Sequence, residues 1–259
     1  MIDQGANPDG APGEVRRVAL VGATGRMGLL TRSLVDADPG LAVHALLDST
    51  SPLESIAGAD LVVDFTRPEV SPGVVEAAVR EGIPILVGTS GWTSQQVQRL
   101  RRDSAGLPAT SVCIVPNFSI GVVVLTALAA VAARFFDNAE IVEIHDISKA
   151  DSPSGTAIRT AEQISGQLPR PTAPSSGPGR GEAIGSVAVH AIRQPGGPDA
   201  QTVYLAGAHE SAQIGYVTTS AAAYESGLSR AMHATRPGLG IRFGLEQLID
   251  LGLPVGADS

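Results

Sequence analysis

A short stretch in the middle of the chain combines an imidazole, a lysine and the start of a predicted helix. It reads Glu143-Ile-His-Asp-Ile-Ser-Lys-Ala-Asp-Ser-Pro-Ser-Gly-Thr-Ala157. An imidazole such as that of His145 suits proton transfer, because imidazoles titrate near neutral pH. Lys149 offers a cation for an anionic ligand, and the helix N-terminus that begins at Ser154 can hold a second anion. The stretch therefore predicts an anion pocket with an acid beside it.

Each of these residues also has an ordinary structural interpretation. His145 can end a buried strand, Lys149 can be a solvated loop cation, and Ser154 can cap a helix. The functional interpretation is favoured because all three lie downstream of a nucleotide-type glycine turn in the same chain.

That glycine turn lies near the N-terminus. A β-rich run at residues 17–21 leads into Gly22, Gly25 and Gly28, and a helical pattern follows. Such a turn lets the backbone approach a pyrophosphate closely at a helix N-terminus. The spacing is G-x-x-G-x-x-G, whereas the commoner fingerprint is G-x-G-x-x-G, so the turn alone is a weak signal.

Asp48 strengthens the prediction of a dinucleotide site, because it follows the second predicted strand, twenty residues beyond Gly28. At that place a carboxylate accepts hydrogen bonds from the adenosine ribose and repels a 2′-phosphate, which favours NADH. Residues 49–51 and Arg26 offer donors that can still hold the 2′-phosphate of NADPH. The alternative is that the glycines only make a tight turn and that Asp48 only caps a loop.

The surrounding elements predict an α/β protein. Strand-length apolar runs alternate with helical patterns up to Pro116, which indicates an N-terminal Rossmann-like parallel sheet. The predicted strands cover residues 17–21, 41–47, 60–65, 83–87 and 111–115, with helices at 72–80 and 94–103. A long apolar helix at about 120–136, a strand at 140–147 and a helix from Ser154 then precede strand candidates at 183–193, 201–206 and 213–220. Clustered strands without intervening helices predict a second α+β domain built on an open mixed sheet.

The same pattern suggests domain boundaries. We predict a dinucleotide-binding domain over residues 15–116 and a substrate-binding and oligomerisation domain over residues 117–235. A helical pattern ends the stretch 238–251, and we expect the chain to return to the first domain over about residues 236–259. Residues 1–14 predict a frayed tail without an export signal, and the Pro- and Gly-rich residues 169–181 predict an exposed loop.

Composition excludes several classes of protein. The net charge of −8 would repel phosphate backbones, so nucleic acid is not an expected partner. The longest apolar run, residues 121–133, is shorter than the roughly 20 residues that span a bilayer, so it predicts a buried helix and no membrane partner. A single cysteine, Cys113, fits a reducing cytoplasm. The five histidines show no ligand spacing, so no metal site is predicted.

Several motifs together resemble one family. They are Val21-Gly-Ala-Thr-Gly-Arg-Met-Gly28, Val63-Asp-Phe-Thr-Arg-Pro68, Val87-Gly-Thr-Ser-Gly91, Pro116-Asn-Phe-Ser119 and Lys149-Ala-Asp-Ser-Pro-Ser-Gly-Thr-Ala157. From about Arg17 to Ala157 the chain resembles the 4-hydroxy-tetrahydrodipicolinate (dihydrodipicolinate) reductases, and it does so more faintly to the C-terminus. These enzymes reduce a cyclic imine on the route to lysine and meso-diaminopimelate. The resemblance implies an oxidoreductase that uses NADH or NADPH, a dicarboxylate-like substrate and a homotetramer.

The resemblance also implies roles for matched residues. His145 corresponds to the proton donor or its orienter, and Lys149 to a substrate-binding lysine. The implied substrate contacts also include Asp146, Ser154, Gly155 and Thr156. The implied cofactor contacts are Gly22, Gly25, Arg26, Met27, Gly28, Asp48, Phe65, Thr66, Arg67, Gly88, Thr89, Ser90, Asn117 and Phe118. Phe118 has a core position as its alternative, and the residues after the strands have ordinary turn chemistry as theirs.

The substrate half departs from the family pattern. Asp146 stands where the family usually has a second histidine, and its carboxylate would repel substrate carboxylates unless it is paired. A further family histidine and an Arg-x-x-Phe segment appear here as Tyr216, Ala221 and Tyr224. Three hypotheses follow: the lysine-pathway reductase, a related reductase of another cyclic imine or conjugated acid in specialised metabolism, and a catalytically idle nucleotide-binding protein.

Overall fold

The computed structural model describes residues 15–103, 111–171 and 179–249. The first part of the chain runs β1 Arg16–Val21, α1 Arg26–Ala37, β2 Leu41–Leu47, β3 Leu61–Asp64, α2 Ser71–Arg80, β4 Ile85–Val87, α3 Ser94–Asp103 and β5 Ser111–Ile114. The second part runs α4 Ile120–Ala133, β6 Asn138–Asp146, α5 Gly155–Ser165, β7 Glu182–Ile184, β8 Val187–Gln194, β9 Asp199–Ala206, β10 Ser211–Thr218, α6 Glu225–Ala234 and β11 Gly240–Phe243. The predicted tail, residues 172–178 of the predicted loop and the chain beyond residue 249 lie outside the described residues.

Six parallel strands form the first sheet, in the order β11-β5-β4-β3-β1-β2. In β1, Val18 and Leu20 enter one core while Ala19 and Val21 enter the other, because successive side chains of a strand point to opposite faces. Helices α1 and α6 complete the first core, and α2 and α3 complete the second. A parallel sheet buried on both faces requires such near-continuous apolar strands. The predicted Rossmann-like sheet is confirmed.

The second sheet is mixed, as predicted. Its order is β10-β9-β6-β8-β7, with β6 parallel to β8 and antiparallel to β9. Helices α4 and α5 cover one face through a separate apolar core. Within the described residues, no helix combines the length and the apolar character needed to cross a membrane.

Two stretches differ from the predicted elements. The prediction of one strand over residues 183–193 is wrong, because Gly185, with φ of +60°, turns the chain between the antiparallel strands β7 and β8. The stretch 238–251, whose end is predicted to be helical, contains strand β11, which pairs with β5, and continues into a 3-10 turn at Leu245–Gln247. Helix α6, which has no counterpart among the predicted elements, packs Leu228 and Met232 into the first core. The chain thus rejoins the first sheet from Glu225 onward.

Candidate active site

The glycine turn has a backbone that other residues would not tolerate. Gly22 has φ of +84°, and a Cβ there would collide with the carbonyl of Phe65. A Cβ on Gly28 would collide with the backbone of the same turn. Helix α1 starts after Gly25 without a side-chain cap and has no acidic residue in its first turn. Its N-terminal N–H groups are therefore a suitable cradle for a pyrophosphate, beside the exposed Arg26 and the half-buried Met27.

Asp48 lies at the carboxyl end of β2, at the same edge of the sheet. Its Oδ1 accepts hydrogen bonds from the backbone N–H of Thr50 at 2.9 Å, the Thr50 hydroxyl at 2.8 Å and the Ser51 hydroxyl at 2.9 Å. These bonds lower the pKa of Asp48 to about 2. The exposed carboxylate is thus ionised and held in one orientation, as an acceptor for ribose hydroxyls requires.

The ends of β3 and β4 meet at that edge as well. The buried carboxylate of Asp64 accepts from the N–H of Thr66 at 2.9 Å and from its hydroxyl at 2.6 Å. Gly88 donates its N–H to the Asp64 carbonyl at 2.9 Å, and a Cβ on Gly88 would collide with the ring of Phe65. Thr89 is buried, whereas Arg67 and Ser90 are exposed. The predicted cofactor contacts of these two loops are therefore neighbours.

The junction between the sheets contains Asn117 and Phe118. Phe118 is only 3% exposed and its ring lies 5.7 Å from that of Phe65, which favours the core position for it. Asn117 accepts from the N–H of Ser119 at 2.8 Å and donates to the Thr156 hydroxyl at 3.2 Å. Asn117 therefore connects the end of the first sheet to the first turn of α5.

His145 lies near the end of β6, almost fully buried. Its Nδ1 is 2.7 Å from Oε2 of Glu143, a contact that becomes an ion pair when the ring is protonated. The two side chains share a face because they are two residues apart on one strand. With Nδ1 held against a carboxylate, Nε2 is the ring nitrogen that can face a substrate.

Glu143 is a fully buried carboxylate that contacts three other residues. Oε1 accepts from Arg193 Nη2 at 2.8 Å and from the backbone N–H of Ser154 at 3.2 Å, and Oε2 faces His145. Burial opposes ionisation, but the contacts with His145, Arg193 and Ser154 outweigh it and lower the pKa of Glu143 to about 2. Glu143 therefore ties the imidazole, a guanidinium and the start of α5 together.

The stability of the protein at acid pH should depend on these contacts of Glu143. The pKa of Glu143 falls from 4.5 to about 2 on folding, so its stabilisation is present above about pH 4.5 and is lost as the pH falls toward 2. We expect the free energy of unfolding, measured with urea, to fall more steeply between about pH 5 and pH 3 in the wild-type protein than in Glu143→Gln. Glu140→Gln, on the same strand but more exposed, should keep the wild-type slope. Parallel curves for wild type and Glu143→Gln would contradict the assignment.

Lys149 lies in the turn that follows β6. Its Nζ is 2.8 Å from Oδ1 of Asp151, and the carbonyl of Asp151 accepts from Arg193 Nη2 at 2.6 Å. The contacts thus run from Lys149 through Asp151, Arg193 and Glu143 to His145, so the imidazole and the ammonium belong to one cluster. Despite the opposing effect of its burial, Lys149 and the backbone N–H groups at Asp151 and Gly155 lower the pKa of the Asp151 carboxyl. An anion is therefore stable beside Lys149 at the start of α5.

The Ser-Gly-Thr turn begins α5 as predicted. The Ser154 hydroxyl caps the helix by accepting from the N–H of Ala157 at 3.2 Å, Gly155 is exposed and Thr156 is half-buried. Asp146 instead closes a local turn: its carboxylate accepts from the N–H groups of Ser148 at 2.9 Å and Gly196 at 2.7 Å. These bonds lower the pKa of Asp146 and satisfy its charge.

Four residues that the sequence analysis does not assign to the site lie within this cluster: Glu143, Arg193, Asp199 and Tyr224. Asp199 Oδ1 is 3.9 Å from Nε2 of His145, and Asp199 Oδ2 accepts from the Tyr224 hydroxyl at 3.0 Å. Only Glu143 has a local signal, as a carboxylate two residues before His145 in an apolar strand. Among the described residues, no group of three or more His, Cys, Asp or Glu side chains is arranged to hold a metal ion.

The chain matches two family models that together cover nearly all of the described residues. The model described as "Dihydrodipicolinate reductase, N-terminus" matches residues 16–118, and that described as "Dihydrodipicolinate reductase, C-terminus" matches residues 121–249.

Individual proteins agree with these models. The chain is 46% identical over 239 residues to the 4-hydroxy-tetrahydrodipicolinate reductase of Clavibacter michiganensis subsp. michiganensis, covering 90% of this chain and 86% of the relative. It is 37% identical over 243 residues to that of Mycobacterium marinum, covering 91% of this chain and 99% of the relative. A dipicolinate-bound dihydrodipicolinate reductase from Paenisporosarcina sp. TG-14 superposes with a TM-score of 0.75 at 24% identity, covering 91% of this chain and 100% of that chain. The last similarity supports the fold.

Proposed function

The chain belongs to the dihydrodipicolinate reductase family, and we infer from this that it is a pyridine-nucleotide-dependent oxidoreductase that reduces the cyclic imine of lysine and diaminopimelate biosynthesis. The observation that carries the proposal is the cluster around Glu143, which joins His145, Arg193 and the start of α5. This cluster combines a proton donor with a site for anions. A turn suited to a dinucleotide lies across the junction at Asn117.

The residues of the glycine turn fit a pyridine nucleotide. The N–H groups of Arg26 and the following residues at the start of α1 would hold the pyrophosphate, and Asp48 would accept from the ribose. Bound there, the nicotinamide supplies the hydride. The loops after β3 and β4 and Asn117 would line the same edge and exclude water from it.

Reduction of a C=N bond also requires a proton for the nitrogen. His145 would donate it from Nε2, since Nδ1 is held against the ionised Glu143. Lys149 would bind one carboxylate of a dicarboxylate-like substrate, and the N–H groups of Gly155 and Thr156 would bind the other, with the substrate displacing Asp151 from Lys149 and Gly155. Ser154 and Glu143 fix the start of α5 for this purpose. The dipicolinate ligand of the Paenisporosarcina enzyme is a molecule of the same dicarboxylate class.

The other two hypotheses are less well supported. The relatives that match over 90% or more of this chain carry the name of the lysine-pathway enzyme, which does not favour a different imine or an idle protein. Asp146, the most marked departure near His145, has its charge satisfied by Ser148 and Gly196, so it need not repel a substrate.

Oxidation of NADH or NADPH with 4-hydroxy-tetrahydrodipicolinate, followed by absorbance, tests the proposed reaction. We expect turnover of that imine. Coenzyme binding without turnover would contradict the proposal, and a screen of other cyclic imines would then separate the two remaining hypotheses.

Asp48 is expected to favour NADH over NADPH, because an ionised carboxylate repels a 2′-phosphate. We expect Asp48→Asn to weaken NADH binding and to strengthen NADPH binding, so that the ratio of the two dissociation constants moves by about tenfold. Coenzyme fluorescence titration measures both constants. Asp60→Asn is the control and should leave the ratio unchanged, because Asp60 lies just before β3 and pairs with Arg17. An unchanged ratio in Asp48→Asn would contradict the role.

We further propose a homotetramer in the cytoplasm. Ile192, Tyr204 and Val217 expose apolar surface on the face of the second sheet opposite α4 and α5, and a second copy would cover it. Light scattering that gives the mass of one chain would contradict the tetramer. The free and buried Cys113 fits a reducing compartment, and recovery of the protein outside the cytoplasmic fraction would contradict that location.

A further inference from the structure

Asp199 lies beside the ring nitrogen that the proposed reaction uses. It is the first residue of β9, its Oδ1 is 3.9 Å from Nε2 of His145, and its side chain is 41% exposed. The other ring nitrogen already faces Glu143. A protonated His145 therefore has a carboxylate on each side, one fully buried and one partly exposed.

Tyr224 contacts the Asp199 carboxylate from the side of the first sheet. Its ring packs on the core of the first sheet, while its hydroxyl donates to Asp199 Oδ2 at 3.0 Å. Burial and the Asp199 charge raise the pKa of Tyr224 to about 12, so the hydroxyl is a donor at physiological pH. The charge of Arg26 in the glycine turn opposes that shift.

The other polar groups near His145 and Asp199 are either paired with another residue or uncharged. Arg193 on β8 pairs with Glu143, so its charge is not available to Asp199. Tyr216 on β10 is a neighbour whose burial, together with the charges of Asp199 and Glu143, raises its pKa. Asp199 is thus the one carboxylate that faces Nε2 among the described residues.

We propose that Asp199 and Tyr224 act as a positioning pair that keeps the imidazolium of His145 aimed at the substrate nitrogen. This inference rests on the proposed imine reduction. In the step concerned, the Nε2–H bond of His145 breaks, an N–H bond forms at the substrate nitrogen, and the neutral ring is reprotonated from water. Asp199 gives up no proton; it stabilises the charged ring before transfer, and Tyr224 fixes its orientation.

Steady-state kinetics of Asp199→Asn, Tyr224→Phe and the double variant test the pair. We expect Asp199→Asn to lower kcat about tenfold. This is less than the full rate contribution of a general acid, because His145 is still present in the variant. The KM for the imine should not rise, because the change removes a carboxylate from the neighbourhood of a dianionic substrate. Tyr224→Phe should lower kcat about threefold, and in the Asp199→Asn background it should have no further effect, since the two residues act as one unit. Glu210→Gln removes an exposed carboxylate from the turn that follows β9 and should change neither constant.

Other results would overturn the inference. If kcat is unchanged in Asp199→Asn while the wild-type protein turns over the imine, the pair has no role in the reaction, although the proposed function stands. If kcat falls only together with a rise in KM and a lower melting temperature, the pair has only a structural role in connecting the second sheet to the first. A wild-type protein that binds coenzyme but does not turn over the imine would overturn both proposals.

Discussion

Lys149→Ala is expected to lower kcat/KM for the imine by about a hundredfold or more, because truncating one partner of a close charge pair costs several kcal/mol. NADH binding should stay within about twofold, since the coenzyme turn lies on the other sheet. Lys149 is the only lysine in the chain, which otherwise uses arginine for its cations. Lys149 presents a compact ammonium beside the start of α5, and the planar guanidinium of an arginine would not fit the same geometry.

The large loss of kcat/KM expected for Lys149→Ala depends in part on Asp151. In the free protein Asp151 Oδ1 lies 2.8 Å from Lys149 Nζ. Loss of the ammonium would remove the cation and also leave the Asp151 carboxylate without it, at the place where we propose that a substrate carboxylate binds. The double variant Lys149→Ala/Asp151→Asn should therefore recover part of the loss, mainly in KM. Kinetics of the two variants, with NADH titration as the control for folding, provide the measurement, and wild-type kcat/KM in Lys149→Ala would contradict the substrate role.

The coenzyme half of the site is largely predictable from the sequence, because its residues follow one another along the chain. Gly22 and Gly28 are needed for one local turn, and Asp48 and Thr66 each follow a strand of the same parallel sheet. Parallel strands bring their carboxyl ends to one edge, so the strand pattern alone predicts that these residues meet.

The partners of His145 in the substrate half depend on strand register, which the sequence does not reveal. Arg193 reaches Glu143 because β8 runs parallel to β6 with Arg193 opposite His145. Asp199 comes from β9 and Tyr224 from the turn before α6, more than fifty residues beyond His145. The predicted substrate role of Asp146 remains a prediction, and the local turn that its carboxylate closes could not be seen without the position of Gly196.

Short elements account for the errors in the predicted fold. Strand β11 has four residues, too few for an alternating pattern to mark it as a strand. The hairpin between β7 and β8 turns at a single glycine inside an otherwise continuous strand pattern.

His145→Gln is expected to lower kcat by about a hundredfold or more while KM changes little, because a general acid contributes to the transition state more than to ground-state binding. An amide can still contact Glu143 but has no proton to transfer at neutral pH, so the variant separates proton donation from packing. The matched control is His190→Gln: His190 Nε2 lies 3.0 Å from a glutamate, Glu140, on the same pair of strands but away from Lys149. Its kcat should equal that of the wild-type protein. Because Nδ1 of His145 faces the Glu143 carboxylate and Nε2 faces Asp199 at 3.9 Å, a wild-type kcat in His145→Gln would mean that the proton reaches the substrate from another group.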